Sequence, residues 1–255
     1  MQNVSRWRPA PLGLQLRSDE VHVWRLGLDS APARRERLQA LLSPDEQERA
    51  ARFHFVEDRH HYTAARGFLR LTLGRYLRCD PGQICFSYNK FGRPELAQAI
   101  TENLRFNVAH SHGMGLFAFT LDRQVGVDIE LICADRATEE IAQRFFAPAE
   151  AAALRALPQE VRVRAFFNCW TRKEAFIKAR GVGLSLGLDK FTVSLAPGEP
   201  AVLLHANDDP DARQRWTFWD LDAAESFAGA LAVEGLGMKL KCWSEPGLME
   251  ELHPN

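Results

Sequence analysis

The chain has 255 residues, 46% of them hydrophobic and 25% charged, with a formal net charge of -1 at pH 7. That balance argues against a dedicated nucleic-acid binder but leaves room for a local basic pocket, and no run approaches the roughly 18 apolar residues needed to cross a bilayer. Five scattered cysteines (Cys79, Cys85, Cys133, Cys169 and Cys242) form no CxxC pair, which argues against structural zinc or a disulfide framework. With no apolar leader in the first residues, a cytoplasmic location is expected.

The first strand signal is Val21 to Leu26. Ser43-Pro44-Asp45-Glu46 then opens a helix, with a serine cap, proline at the first helical position and an acid placed for a capping box, and this helix is expected to run to about Phe55. A longer helix follows from about Asp58 to Leu77, striped by Tyr62, Ala65, Leu69, Leu73 and Leu77. Arginines crowd the region from Arg34 to Arg78. After Pro81-Gly82, Ile84 to Tyr88 reads as a strand, and Leu104 to Ala109 and Leu116 to Phe119 read as strands flanking His110-Ser111-His112-Gly113.

A turn at Leu121 to Gln124 precedes the strand Val125-Gly126-Val127-Asp128-Ile129-Glu130. Beyond it the plan of the first half recurs. Phe145-Phe146-Ala147-Pro148-Ala149-Glu150 resembles Leu41-Leu42-Ser43-Pro44-Asp45-Glu46, and a step of 22 residues from Pro44 or Pro148 reaches Arg66 or Trp170, each inside a long helix. A strand candidate follows each helix, Ile84 to Ser87 and Phe191 to Leu195, so the pattern reads as an internal duplication, with coincidence among common helix signals as its rival. Ala206 to Asp211 is a loop, and Trp216 to Trp219, Phe227 to Val233 and Met238 to Leu240 are further strand candidates. A division at 122/123 places most arginines in residues 1-122 and the acids in 123-255, with a cleft between the halves as the expected site.

Three acids carry the chemical reading. Alternation puts Asp128 and Glu130 on one face of their strand, while helical spacing aligns Trp170, Glu174 and Lys178 on one stripe. Isolated acids on a strand are ordinarily solvated, and Glu174 with Lys178 four residues later makes an ordinary surface ion pair. Converging, they would instead offer hard oxygen ligands for Mg2+ beside the ammonium groups of Lys173 and Lys178 and the glycine-bearing rim Arg180 to Leu186, an arrangement suited to a phosphate-bearing substrate. His110 and His112 could serve as metal ligands, a general base or phosphate contacts. The Asn107 to Ser111 setting suggests a turn whose polar side chains face a ligand, and Arg93 could add a cation to the same cleft.

Four segments together resemble the 4'-phosphopantetheinyl transferase superfamily, in its longer, surfactin-synthetase-activating (Sfp-like) type. They are Phe91-Gly92-Arg93-Pro94, Phe106 to Ser111, Val125 to Glu130, and Trp170 to Lys178 followed by Gly181-Val182-Gly183-Leu184-Ser185. The resemblance implies an α+β fold of two similar α/β subdomains in pseudo-twofold arrangement, each with an antiparallel sheet and a long packed helix. It implies that residues 1-122 contribute nucleotide and 3'-phosphate contacts and that residues 123-255 hold the metal and catalytic site.

The activity so implied is transfer of the 4'-phosphopantetheine arm from coenzyme A to a serine of an apo acyl, polyketide or peptidyl carrier protein. Asp128, Glu130 and Glu174 match the family's Mg2+ ligands, and Glu174 also its general base. Lys173 and Lys178 match residues that address the pyrophosphate, and Arg93 and His110 match the nucleotide end, with His110 near the 3'-phosphate. Ala109 stands where serine is frequent, and Arg93 where lysine is frequent. The alternatives are another Mg2+-dependent phosphotransferase and a catalytically silent carrier-binding module. A monomer is expected, because a duplicated chain can supply both walls of a cleft.

Overall fold

The acidic strand is the hinge of the architecture. In the computed structural model, which describes residues 6-97, 103-181, 183 and 186-244, Val125-Leu131 forms a strand whose successive side chains face opposite ways. Val125, Val127 and Ile129 enter a core shared with Val21, Val23, Leu116 and Leu231, while Gly126 and Asp128 face a long helix, Gln159-Arg180. At Gly126 the backbones touch: a Cβ there would run into the carbonyl of Ala175 and the amide of Ala179. Only glycine permits that approach, and it fixes the helix over the acids.

Twelve strands and six α-helices are described. The strands are β1 (Trp7-Pro9), β2 (Glu20-Gly27), β3 (Phe86-Tyr88), β4 (Pro94-Leu96), β5 (Leu104-Ser111), β6 (Met114-Leu121), β7 (Val125-Leu131), β8 (Phe191-Val193), β9 (Leu203-Ala206), β10 (Trp216-Asp220), β11 (Phe227-Glu234) and β12 (Lys239-Ser244). The helices are α1 (Pro32-Ala40), α2 (Pro44-Ala51), α3 (Val56-Leu77), α4 (Glu139-Phe145), α5 (Pro148-Ala156) and α6 (Gln159-Arg180).

The first subdomain is built on the sheet β1-β12-β2-β6-β5, antiparallel through β2, β6 and β5, with α3 packed on it through Phe68, Leu69 and Leu73 against Trp24, Phe117 and Phe119. The second is built on the antiparallel sheet β10-β11-β7, with α6 packed on it through Phe176 and Ala175 against Phe218, Ala228 and Ala230. β12 lies across the expected division at 122/123: it joins the first sheet, running parallel to β2.

The duplicated plan is physical. α3 and α6 each span 22 residues and each ends in a left-handed residue, Arg78 or Gly181. The short helix before each carries an acid at its third position whose carboxylate accepts the amide of the preceding cap: Glu46 from Ser43 and Glu150 from Ala147. The same carboxylate then pairs with a buried cation of the long helix, Glu46 with Arg70 at 2.6 Å and Glu150 with Lys173 at 2.7 Å. Each cation also donates to carbonyls of the chain that follows, Arg70 to Pro81 and Ile84, Lys173 to Leu188 and Phe191.

Several elements had weaker sequence signals. α1 and α4 are short helices outside the expected set, the strand expected from Ile84 starts at Phe86, and Ala206, expected in a loop, closes β9. The helix expected to reach Phe55 ends at Ala51.

Candidate active site

β5 and β7 run side by side in the same direction but share no backbone ladder. Side chains bridge them instead: Asn107 Oδ1 accepts from the Val127 amide at 2.9 Å, and Ser111 Oγ accepts from the Leu131 amide at 3.3 Å. The seam between the two sheets is therefore splayed, and the ends of β5, β7 and α6 converge there.

A cavity of about 310 Å3 opens beside this seam, lined by Phe106, Asn107 and Val108 of β5, by Glu174, Ile177 and Lys178 of α6, and by the β3-β4 turn with Phe91 and Arg93. Lys178 Nζ donates to Asp128 Oδ1 at 2.6 Å, joining α6 to β7. Asp128 is only 3% exposed, and its second oxygen, Oδ2, is buried without a hydrogen-bond partner.

Burial pushes the Asp128 carboxyl up to about 7, against the pull of Lys178, and the charges of Glu130 and Glu174 add to the rise. Burial also raises Glu174, which Lys178 lowers and Glu130 raises further. Burial works against the Lys178 ammonium, yet Asp128 and the two glutamates outweigh it and hold its pKa above the ordinary lysine value. Three carboxyls and one ammonium thus feel one another at one end of α6, a concentration of negative charge that suits a hard cation.

The carboxylates are not, as placed, drawn to mutual coordination distance. Among the described residues, the three-residue group whose ligand atoms lie within 4.8 Å of one another is a different one, Asp29, Glu57 and His61, on the loop after β2 and the start of α3. There His61 Nε2 lies 2.8 Å from Asp29 Oδ1, away from the cavity of Glu174 and Lys178.

Lys173 corrects a sequence expectation. It is fully buried, bound to Glu150 and to the carbonyls of Leu188 and Phe191, and lies over the Phe191 ring, so it braces the second subdomain and does not reach the cavity. The physical reason is helical: Glu174 and Lys178, four apart, share a face, whereas the residue before Glu174 is turned about 100° away.

Arg93 does line the cavity, but its guanidinium is turned to the backbone, donating to the carbonyls of Lys178, Phe106 (3.0 Å) and Val125 (3.3 Å). It thereby ties the end of α6 to β5 and β7. His110 is exposed on β5; partial desolvation, then the charges of Lys178 and His61, hold its pKa below the ordinary histidine value. Of the glycine-bearing rim, Gly181 and Gly183 line the cavity, with Phe91 packed against Gly183, whereas Val182, Leu184 and Ser185 lie outside the described residues.

The Asn107 to Ser111 stretch, expected as a turn with polar side chains facing a ligand, is instead part of strand β5, and the side chains of Asn107 and Ser111 face β7. Polar residues at two buried positions four apart on a strand, where apolar ones are expected, were the available signal for that role.

Comparison with known proteins identifies the family. A family model described as the 4'-phosphopantetheinyl transferase superfamily matches residues 124-232, and one for the 4'-phosphopantetheinyl transferase N-terminal region matches residues 31-119. A 4'-phosphopantetheinyl transferase of Nostoc sp., HetI, is 41% identical over 93% of this chain and 97% of its own length. A 4'-phosphopantetheinyl transferase of Bacillus subtilis is 32% identical over 80% of this chain and 90% of its own. The B. subtilis strain 168 transferase Sfp is 34% identical over 63% and 69%.

Proposed function

The chain belongs to the 4'-phosphopantetheinyl transferase superfamily, and from that premise we infer that it transfers the 4'-phosphopantetheine arm of coenzyme A to a serine of an apo carrier protein, releasing adenosine 3',5'-bisphosphate. The observation that carries this reading is the meeting of Glu174 and Lys178 on one cavity wall, with the Asp128 carboxylate bound to Lys178 from behind.

In the reaction the serine oxygen bonds to the β-phosphorus of coenzyme A, the bond from that phosphorus to the bridging oxygen breaks, and the serine proton must leave. Glu174 is the base we assign, because it faces the cavity and its raised pKa improves a carboxylate as a proton acceptor near neutral pH. Lys178 is the group we assign to the charge that builds on the departing phosphate, since its ammonium stays protonated. Alignment of serine and diphosphate supplies much of the remainder, because a serine hydroxyl is a poor nucleophile by itself.

The donor set fits Mg2+: oxygen ligands only, one of them the unpartnered and buried Asp128 Oδ2, in a cluster that negative charge destabilises. We assign Asp128, Glu130 and Glu174 to hold it. When bound, such an ion neutralises the diphosphate and polarises its oxygens. Nucleotide contacts we assign to His110, exposed beside the charge of Lys178, with Arg93 contributing positive charge from the cavity wall.

On this reading residues 1-122 supply Arg93 and His110, and residues 123-255 supply the metal and catalytic groups. One chain furnishes both walls of the cavity, which favours a monomer. No described helix is long and apolar enough to cross a membrane. All five cysteines are unpaired, which suits the reducing cytoplasm.

A panel of purified apo carriers, incubated with the protein, coenzyme A and Mg2+ and read by intact mass, tests the reading. Addition of the arm to one or more carriers supports it. Transfer of a bare phosphate would point to another phosphotransferase, and a complex with no mass change to a silent carrier-binding module.

A further inference from the structure

Glu130 differs from its neighbour Asp128 in how it is held. Asp128 is clasped by Lys178, whereas Glu130 lies one step nearer the end of β7, half-buried, and receives a hydrogen bond from across the splayed seam. The donor is Ser111, the last residue of β5, itself only 8% exposed. Its Oγ lies 3.1 Å from Glu130 Oε2, 3.3 Å from the Leu131 amide and 3.0 Å from His112 Nδ1.

The proton count is closed. A serine hydroxyl has one proton to give and two lone pairs. The Leu131 amide occupies one lone pair, and a carboxylate can only accept, so the hydroxyl proton goes to Glu130. His112 Nδ1 then completes the set by donating N-H to the second lone pair, which assigns its tautomer. The hydroxyl is thereby held in one orientation from both sides.

We propose that Ser111 is a positioning residue for the metal centre inferred above, fixing the Glu130 carboxylate so that its other oxygen stays available to the cation. The proposal rests on the assignment of Glu130 as a ligand. Polar partners one bond removed from a metal fix ligand orientation, and their loss lowers affinity by about 10- to 100-fold.

The test is a titration of Mn2+, an octahedral oxygen-seeking probe, into the full chain with coenzyme A present, read by electron paramagnetic resonance. Ser111→Ala is expected to weaken Mn2+ binding about tenfold with only the modest fall in thermal midpoint that loss of the Leu131 hydrogen bond brings, and Ser111→Thr, which keeps the hydroxyl, to bind close to wild type. In a Glu130→Ala background, Ser111→Ala is expected to cause no further loss, since its effect runs through that carboxylate.

Unchanged Mn2+ affinity in Ser111→Ala would overturn the proposal. So would parallel loss of stability and affinity in both Ser111 variants, or a full additional loss in the Glu130→Ala background. Wild-type transfer of the arm to an apo carrier is measured on the same preparation. If wild type binds Mn2+ as expected but transfers nothing, the functional reading fails and the positioning role stands.

Discussion

Lys178 Nζ and Asp128 Oδ1 lie 2.6 Å apart, joining the last turns of α6 to the middle of β7 at the seam between the two sheets. The pair places the ammonium beside the carboxyl cluster and on the wall of the cavity. Replacing Lys178 with glutamine is therefore expected to lower the rate of arm transfer by about 100-fold, the effect typical of losing one preorganised donor to transition-state charge. Steady-state kinetics with coenzyme A and an apo carrier measure it. A rate within a few-fold of wild type would remove Lys178 from the chemistry.

Lys173 is expected to behave differently. Lys173→Met strips the partner from the buried Glu150, so unfolding in urea should show a loss of about 3 kcal/mol, the cost of breaking a buried pair from one side. The KM for coenzyme A should change little at a temperature where the variant is folded. A large rise in KM with unchanged stability would return Lys173 to the pyrophosphate.

Much of this was legible in the sequence. The proline-acid helix starts at Pro44 and Pro148, the long helices and the alternating acids of β7 all follow from local spacing, and Trp170, Glu174 and Lys178 fall on one helical stripe. The same helical geometry separates Lys173 from Lys178 by about 140°, so charge and proximity in sequence masked a difference of face. What was not legible depends on the third dimension: Ser111 and Asn107 acquire their partners only where β5 and β7 splay apart, and β12 pairs with β2 from the far end of the chain. Arg93 was placed at the right cavity, but which way its guanidinium turns was set by three carbonyls from three elements.

Gly126 is the point at which α6 is seated on the acidic strand. Gly126→Ala would press a methyl against the Ala175 carbonyl and the Ala179 amide, backbone groups that cannot swing away. We expect a destabilisation of about 2 kcal/mol from overpacking, read by urea unfolding, together with slower transfer because Glu174 and Lys178 ride on the displaced helix. Wild-type stability and rate would show that α6 does not depend on this contact.

His22 provides a pH test away from the site. It is 1% exposed, with Nδ1 2.8 Å from the Tyr76 hydroxyl and Nε2 3.2 Å from Glu20. Burial lowers its pKa to about 4, against the opposing pull of Glu20, with Lys241 adding to the fall. Between about 6.5 and 4 the unfolded chain binds a proton that the folded chain refuses, so stability is full above pH 6.5 and falls as pH drops toward 4. The contribution of His22 to that loss is about 3 kcal/mol. Comparing urea unfolding of wild type and His22→Gln across this window isolates it: the difference should narrow with falling pH. A difference constant with pH would contradict the assignment.

The most direct test of the account's central claim is single-turnover transfer by Glu174→Gln with coenzyme A, apo carrier and Mg2+ all saturating. The account predicts that both substrates bind and that transfer slows by about 100-fold or more, as expected when a positioned base is removed. Transfer at the wild-type rate with normal binding would contradict it.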